Sequence, residues 1–401
     1  MLSVHTSPLA QPGSGDGGGM NVYIRALASS LARAGVSVDV LTRAEHSEQP
    51  PVVVVEPGFR VLHVDAGPRA PVPRHELPGL VALFSEAARE LLERCGTEYD
   101  VLHANYWVSG AVGHRLKHEL DLPLVTTFHT LERVKAEVGL AHDAALRPRI
   151  EAEVVRCADL VVASTAEERV QLVNFYGADP ERVEVVAPGV DPLVFAPGDR
   201  GTARRALALA LGDAPVLLFV GRIQRLKGAD LAIRSLAELC DPRAQLLVVG
   251  GPSGPDGQAE LSRLHALVDD LALETRVRFV APQPHERLVD FYRAADVCVV
   301  PSQAESFGLV ALEAAACGTP VVASDVGGLR SLVGHGSTGY LVEQRDPAEF
   351  AAAIERVLSG NAAEFRVRAI ERAAGYRWNM AAARLRRHYD DLAVRTPVQC
   401  S

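Results

Sequence analysis

The chain has 401 residues, 48% hydrophobic and 23% charged, and a net charge of −9. It is too long for one ordinary domain and suits two of about 190 to 200 residues, each able to bury a full core. The acidic balance argues against a nucleic-acid or anionic-membrane surface, and no apolar run reaches the roughly 18 residues that span a bilayer.

Six cysteines, Cys95, Cys157, Cys240, Cys298, Cys317 and Cys400, are scattered along the chain. There is no Cys-x-x-Cys and no histidine cluster at zinc spacing, so reduced thiols in the cytoplasm are expected. Met1–His5 lacks the basic start and long apolar core of a signal peptide.

In chain order, β-branched apolar runs predict strands over Ser37–Thr42, Arg60–Val64, Asp100–Ala104, Leu122–Thr127, Leu160–Ser164 and Val183–Ala187. Helices fall between them, the clearest an amphipathic one from Val22 to Ala34. The breaker-rich stretch from Ala187 to Asp199 separates two halves. Beyond it, strands over Pro215–Gly221, Gln245–Gly250, Val277–Ala281, Val297–Pro301 and Pro320–Ala323 alternate with helices near Ala229–Cys240, Ala259–Leu271, Glu286–Ala295 and Phe307–Ala316. Such alternation is that of βαβ units, so two doubly wound α/β sheets are expected. The tail from Pro347 is helical, and its last segment, Asn379–Leu392, is expected to pack back on the first domain. The expected division is 1–190, 191–375 and 376–401.

Within residues 305–320, Glu305 and Glu313 stand eight positions apart across a loop-to-helix junction. If the helix begins near Ser306, both acids fall on roughly one side, and the amides between them suit a phosphate or sugar hydroxyls. The same pattern also fits a capped core helix carrying two solvated acids. Gly221–Gly228 follows the first strand of the second half, at the edge where open α/β sheets bind ligands. Arg222 and Lys227 there either converge on a diphosphate, each charge-assisted bond contributing about 1.5–3 kcal/mol, or form a solvated basic loop.

Gly13–Gly19 leads into the first helix and contains Gly-x-Gly-x-x-Gly. Ser7–Pro12 intervene after the strand and Asp39 sits inside the next one, so the dinucleotide fingerprint is weak and a backbone approach to an anion fits better. His129 follows a buried strand and becomes a sugar contact if that strand end faces a cleft. Tyr106-Trp107 is a second feature of that kind, with core packing as its alternative. There is no Asp-x-Asp metal motif, Gly-x-Ser-x-Gly elbow or Walker loop. Charge on a leaving diphosphate would then fall to Arg222, Lys227 and helix dipoles.

Together, Gly221–Gly228, Glu305–Glu313, the Gly-Gly-Met-Asn helix start and the His-Thr after the fourth strand resemble the retaining family-4 glycosyltransferases. The resemblance covers nearly the whole chain. It implies the GT-B architecture, two doubly wound Rossmann-like domains facing a cleft, the first holding the acceptor and the second the nucleotide sugar. His5–Pro12, Asp16–Asn21, Tyr106–Gly110 and Gly221–Gln224 are most similar to the members that move N-acetylglucosamine from UDP-GlcNAc to 1D-myo-inositol 3-phosphate in mycothiol biosynthesis.

By that resemblance, Arg222 and Lys227 hold the UDP diphosphate, Glu305 the donor sugar and Glu313 the uridine ribose. His5, Gln11, Pro12, Gly19 and Gln283 complete the donor side, and His129, Arg222, Lys227 and Glu305 form the catalytic set. The acceptor meets Asp16, Gly17, Gly18, Gly19, Met20, Asn21, Arg74, Tyr106, Thr130 and an arginine before Glu151, either Arg147 or Arg149, of which Arg149 is expected. Arg74 stands where the pattern has Lys, which keeps the charge and changes its geometry. No cofactor is required by the residues themselves. The resemblance assigns magnesium to Tyr292, Arg293, Ala295 and Thr319, a set without the carboxylates that magnesium prefers. Partners are a UDP-sugar donor and a phosphorylated polyol, with no nucleic acid and no membrane span, in a possible homodimer. Three alternatives remain: a mannosyl- or sucrose-forming relative, a nicotinamide dehydrogenase, and a nucleotide-sugar-binding protein without activity.

Overall fold

The computed structural model describes residues 1–13, 15, 17–139, 145–209 and 214–400. The chain divides into two compact units, one made of Met1–Ala10, Met20–Ala187 and Trp378–Ser401, the other of Gln11–Gly19 and Pro188–Arg377. Among the described residues, no helix is long and apolar enough to cross a membrane.

The strands of the first unit are β1 (Val38–Arg43), β2 (Val52–Glu56), β3 (Phe59–Val64), β4 (Leu102–Asn105), β5 (Leu124–Thr127), β6 (Leu160–Ala163) and β7 (Val183–Val185). They form one sheet ordered β1-β3-β2 and another ordered β4-β5-β6-β7. Leu2 bridges both, pairing in parallel with Leu41 of β1 and Ala104 of β4. Helices α1 (Gly19–Arg33), α2 (Val81–Cys95), α3 (Trp107–Leu120), α4 (Glu132–Glu137), α5 (Leu146–Cys157) and α6 (Ala166–Tyr176) connect them. β1 and β4 to β6 are almost wholly buried, as expected of parallel strands covered on both faces. β2 is an antiparallel edge strand with Val52 and Val54 exposed, and the prolines before it hid it from the sequence reading.

The second unit carries α7 (Arg200–Ala206), β8 (Val216–Val220), α8 (Ala229–Glu238), β9 (Gln245–Val249), α9 (Gly257–Asp270), β10 (Val277–Val280), α10 (Leu288–Ala294) and β11 (Val297–Val300). It continues with α11 (Leu309–Ala316), β12 (Val321–Ser324), α12 (Leu329–Leu332), β13 (Gly339–Val342), α13 (Pro347–Ser359) and α14 (Ala362–Ala373). Its sheet is parallel in the order β10-β9-β8-β11-β12-β13, which reverses between β8 and β11. The last helix, α15 (Trp378–Ala393), counts with the first unit. There Tyr389 Oη meets His103 Nδ1 at 2.6 Å, Trp378 packs edge-on against Tyr23, and Arg384 pairs with Glu184.

Two expectations need correction. α11 starts at Leu309 rather than near Ser306, because Gly308 has φ +103 and cannot be helical. Cys157 and Cys400 pair as a disulfide where reduced thiols were expected, because the segment after α15 returns to the end of α5. Cys95, Cys240, Cys298 and Cys317 are free.

Candidate active site

In an open parallel sheet, ligands bind beyond the carboxyl ends of the strands where the order reverses. In the second unit that point lies after β8 and β11, the two strands followed by the stretches singled out in the sequence. The turn after β8 carries Lys227 and the loop after β11 carries Glu305, and Lys227 Nζ stands 2.6 Å from Glu305 Oε2. Both groups keep some exposure to solvent. Gly228 closes the first turn at φ +72, and a Cβ there would collide with the Pro301 carbonyl at the end of β11. The two loops are thus packed backbone to backbone, which fixes the spacing of the charges.

Arg222 Nη1 lies 3.5 Å from Ser253 Oγ, and its guanidinium lies against Gly18. The glycine-rich segment contributes more here. Gln11 Nε2 donates to Pro282 O at 3.1 Å, Gly13 N to Gly17 O at 2.9 Å, and a Cβ on Gly19 would come into contact with Leu309, the first residue of α11. Pro12 lies in the same turn, and Gln283 sits in the loop after β10, bonded to Ala281 O. Asp16 lies outside the described residues.

Glu313 is buried in α11, a full helical turn past its start. Its Oε1 lies 2.7 Å from His285 Nε2 and its Oε2 accepts from Tyr292 Oη at 2.7 Å. Burial, with Glu313 next to it, pushes the Tyr292 phenol well above its ordinary pKa, so it remains a donor. A carboxylate has about four lone-pair sites, so Glu313 can still accept hydroxyl donors. His285 is a contributor that the sequence reading missed, since a lone histidine in a loop carries no pattern.

Tyr292, Arg293, Ala295 and Thr319 do gather at the end of α10, but not as a magnesium donor set. Tyr292 Oη is given to Glu313, Thr319 Oγ1 donates to Tyr292 O at 2.6 Å, and Arg293 Nε donates to Ala196 O at 2.8 Å. Thr319 already occupies a main-chain oxygen of the group, and Arg293 adds positive charge, so these side chains do not fit the ion.

In the first unit the loops after Leu2, β4 and β5 carry His5, Tyr106 and His129. Tyr106 (φ +79) and His129 (φ +62) hold left-handed backbone that side chains rarely adopt, and such strain concentrates where function over-determines geometry. His5 packs tilted on Tyr106 with ring centroids 4.7 Å apart. His129 Nε2 lies 2.9 Å from Asn105 Oδ1, and burial pushes its pKa down to about 3, so the ring is neutral at physiological pH. Asn21 is buried and donates to Thr6 Oγ1 and Ser7 O, pinning the loop after Leu2. Met20 packs against the core of the unit.

The two arginines before Glu151 are placed differently from each other. Arg147, not Arg149, joins Thr130 and Tyr106: its Nη2 donates to Thr130 O and Oγ1 at 2.8 and 3.0 Å, and its Nη1 to Tyr106 Oη at 3.2 Å. Two positions along a helix point to different sides, and Arg149 faces solvent, 71% exposed, beside Glu153. Arg147 is ion-paired with Glu132 and Glu151. Burial works against its charge, yet Tyr106, Glu151 and Glu132 outweigh that and hold its pKa above the ordinary value.

Lys135 of α4, also missed from sequence, lies 3.7 Å from Glu132. Burial first, then Arg147 and Arg74, lowers its pKa to about 8. Lys135 therefore feels both Arg147 and Arg74 as well as the carboxylates of Glu132 and Glu151, a balance that favours a further anion.

Residues 17–193 match the family described as Glycosyltransferase Family 4, and residues 199–375 match Glycosyl transferases group 1. A D-inositol 3-phosphate glycosyltransferase of Geodermatophilus obscurus is 51% identical over 89% of this chain and 81% of its own. D-inositol 3-phosphate glycosyltransferase 2 of Catenulispora acidiphila is 47% identical over 96% of this chain and 92% of its own. Among solved structures, sucrose-phosphate synthase from Thermosynechococcus elongatus is 36% identical with a TM-score of 0.90, covering 98% of each chain. The chain belongs to the family-4 glycosyltransferases, hexosyltransferases of the two-domain GT-B fold.

Proposed function

We propose that the protein moves N-acetylglucosamine from UDP-GlcNAc to 1D-myo-inositol 3-phosphate with retention at the anomeric carbon, as a cytoplasmic step of mycothiol biosynthesis. The observation that carries the acceptor is the Arg74, Lys135 and Arg147 cluster beside Tyr106 and Thr130, which suits a phosphorylated polyol. The names of the 51% and 47% identical relatives support the same acceptor. We assign the acceptor to the first unit, with Arg147 in the place given to Arg149, and the nucleotide sugar to the second.

In the second unit, Arg222 and Lys227 take the diphosphate, Glu305 the sugar hydroxyls and Glu313 the ribose. Lys227 and Glu305 pair with each other. A bound donor would draw Lys227 to phosphate and leave Glu305 to accept sugar hydroxyls. The acceptor hydroxyl attacks the anomeric carbon on the face from which UDP leaves. The carbon–oxygen bond to the β-phosphate breaks, the bond to the acceptor oxygen forms, and the departing phosphate oxygen takes the hydroxyl proton. Lys227 and Arg222 stabilise the charge that develops on that oxygen, and no carboxylate pair for double displacement is required. His129, neutral at physiological pH, serves by hydrogen bonding rather than by charge. Magnesium is given no part.

A UDP-release assay over donor and acceptor panels tests the reading. Release with UDP-GlcNAc should depend on inositol 3-phosphate. Equal turnover with a hexose phosphate acceptor would favour the sucrose-forming alternative, which the 36% identical synthase motivates.

A further inference from the structure

In the first unit, among residues given no role above, four ligating side chains converge. His114 and His118 project from α3 one helical turn apart, the spacing that places two imidazoles on one metal. Cys157 ends α5, and Cys400 follows α15. The candidate ligand atoms of these four all lie within 4.8 Å of one another. His118 Nε2 is 3.0 Å from Cys400 Sγ and 3.9 Å from Cys157 Sγ, and His114 Nε2 is 3.6 Å from Cys400 Sγ. A tetrahedral zinc with nitrogen and sulfur ligands at about 2.0–2.3 Å has edges of roughly 3.5 Å, which these three nitrogen–sulfur separations bracket; the sulfur–sulfur edge must open from the disulfide seen here when the pair is reduced.

The frame around them is prebuilt. Lys117, buried on α3, donates to Cys157 O at 2.8 Å and to Asp159 Oδ2 at 2.6 Å. Asp159 Oδ1 accepts from Val398 N at 2.6 Å, so one carboxylate fixes both the end of α5 and the segment that carries Cys400. The sequence reading passed over His114-x-x-x-His118, which is at zinc spacing, because the two cysteines that complete the set lie in separate parts of the chain.

We propose that His114, His118, Cys157 and Cys400, in the thiol form of the cysteines, make a Cys2His2 site for Zn²⁺ that fastens the segment after α15 to α3 and α5. Both thiols lose their protons to solvent as the metal binds. The disulfide is then the two-electron-oxidised form of the same pair, formed by exchange with an external disulfide that is reduced to two thiols, and it leaves no thiolate for the metal.

The test is Co²⁺ titration of the full chain with all six cysteines reduced. The proposal expects one cobalt per chain, with the intense visible bands of tetrahedral geometry and a thiolate charge-transfer band, both removed by stoichiometric Zn²⁺. Cys400→Ser should reduce the charge-transfer band. His118→Ala, at an exposed position, should weaken binding by more than the roughly 10–100-fold typical of losing an outer-shell partner. Cys95→Ser should change nothing. No tetrahedral cobalt spectrum from the reduced chain, or an unaltered spectrum in both Cys400→Ser and His118→Ala, would overturn the proposal.

Discussion

Lys227, Arg147 and Lys135 each sit beside a carboxylate, and the roles proposed for them are roles of charge. Lys227→Ala should lower turnover by roughly 10²–10³, as when other groups that stabilise transition-state charge are removed. Unchanged UDP release in that variant would remove Lys227 from the mechanism. Arg147→Ala would strand Glu132 and Glu151 without their buried partner, at a cost of about 3–5 kcal/mol of stability, so it confounds folding with binding. Arg147→Lys keeps the charge and loses the fork, and it should raise the acceptor KM by about 10–100-fold while Arg149→Ala leaves it alone. The reverse pattern would return the role to Arg149. Lys135 supplies a pH signature. Because burial lowers its pKa to about 8, it is charged below that pH and neutral above it. Affinity for a phosphate dianion should therefore fall as pH rises through that value, with the bound anion moving the limb upward. Acceptor KM measured against pH should show that limb in the natural chain and not in Lys135→Met.

At the scale of elements, the loop from Glu305 to Gly308 is held by Gly327 and Gly328. A Cβ at Gly327 would collide with the Glu305 carbonyl, one at Gly328 would collide with Phe307, and Gly327 also has φ +48. Gly327→Ala should lower the melting temperature by an amount equivalent to about 1–3 kcal/mol and raise the donor KM, read by calorimetry and donor titration. A normal melt with normal donor KM would mean that the loop does not depend on this packing.

The alternation of strand and helix was legible because parallel strands are continuous apolar runs, and β8, β9 and β11 fall where those runs are. β13 was not, since Gly339 opens it and breakers flank it. Glu305 and Lys227 were legible as members of a strand-edge pattern. Their direct ion pair was not, because 78 residues separate them and only the sheet order brings their loops together. That Arg147 rather than Arg149 joins Tyr106 and Thr130 was not legible for a related reason: helical spacing says that the two face differently, but not which one faces inward.

For the whole molecule, a net charge of −9 coexists with cation clusters in both units, so local pairing rather than overall charge decides where the proposed anions would bind. The last helix ties the end of the described chain to the first unit through Trp378, Arg384 and Tyr389. Trp378→Ala should destabilise that unit by about 3–5 kcal/mol, visible as a lowered melting transition. The central claim is tested most directly by proton NMR of the product formed from UDP-GlcNAc and 1D-myo-inositol 3-phosphate. The account predicts one α-linked N-acetylglucosaminyl inositol phosphate per UDP released. A β-linked product, or equal product from unphosphorylated inositol, would contradict it.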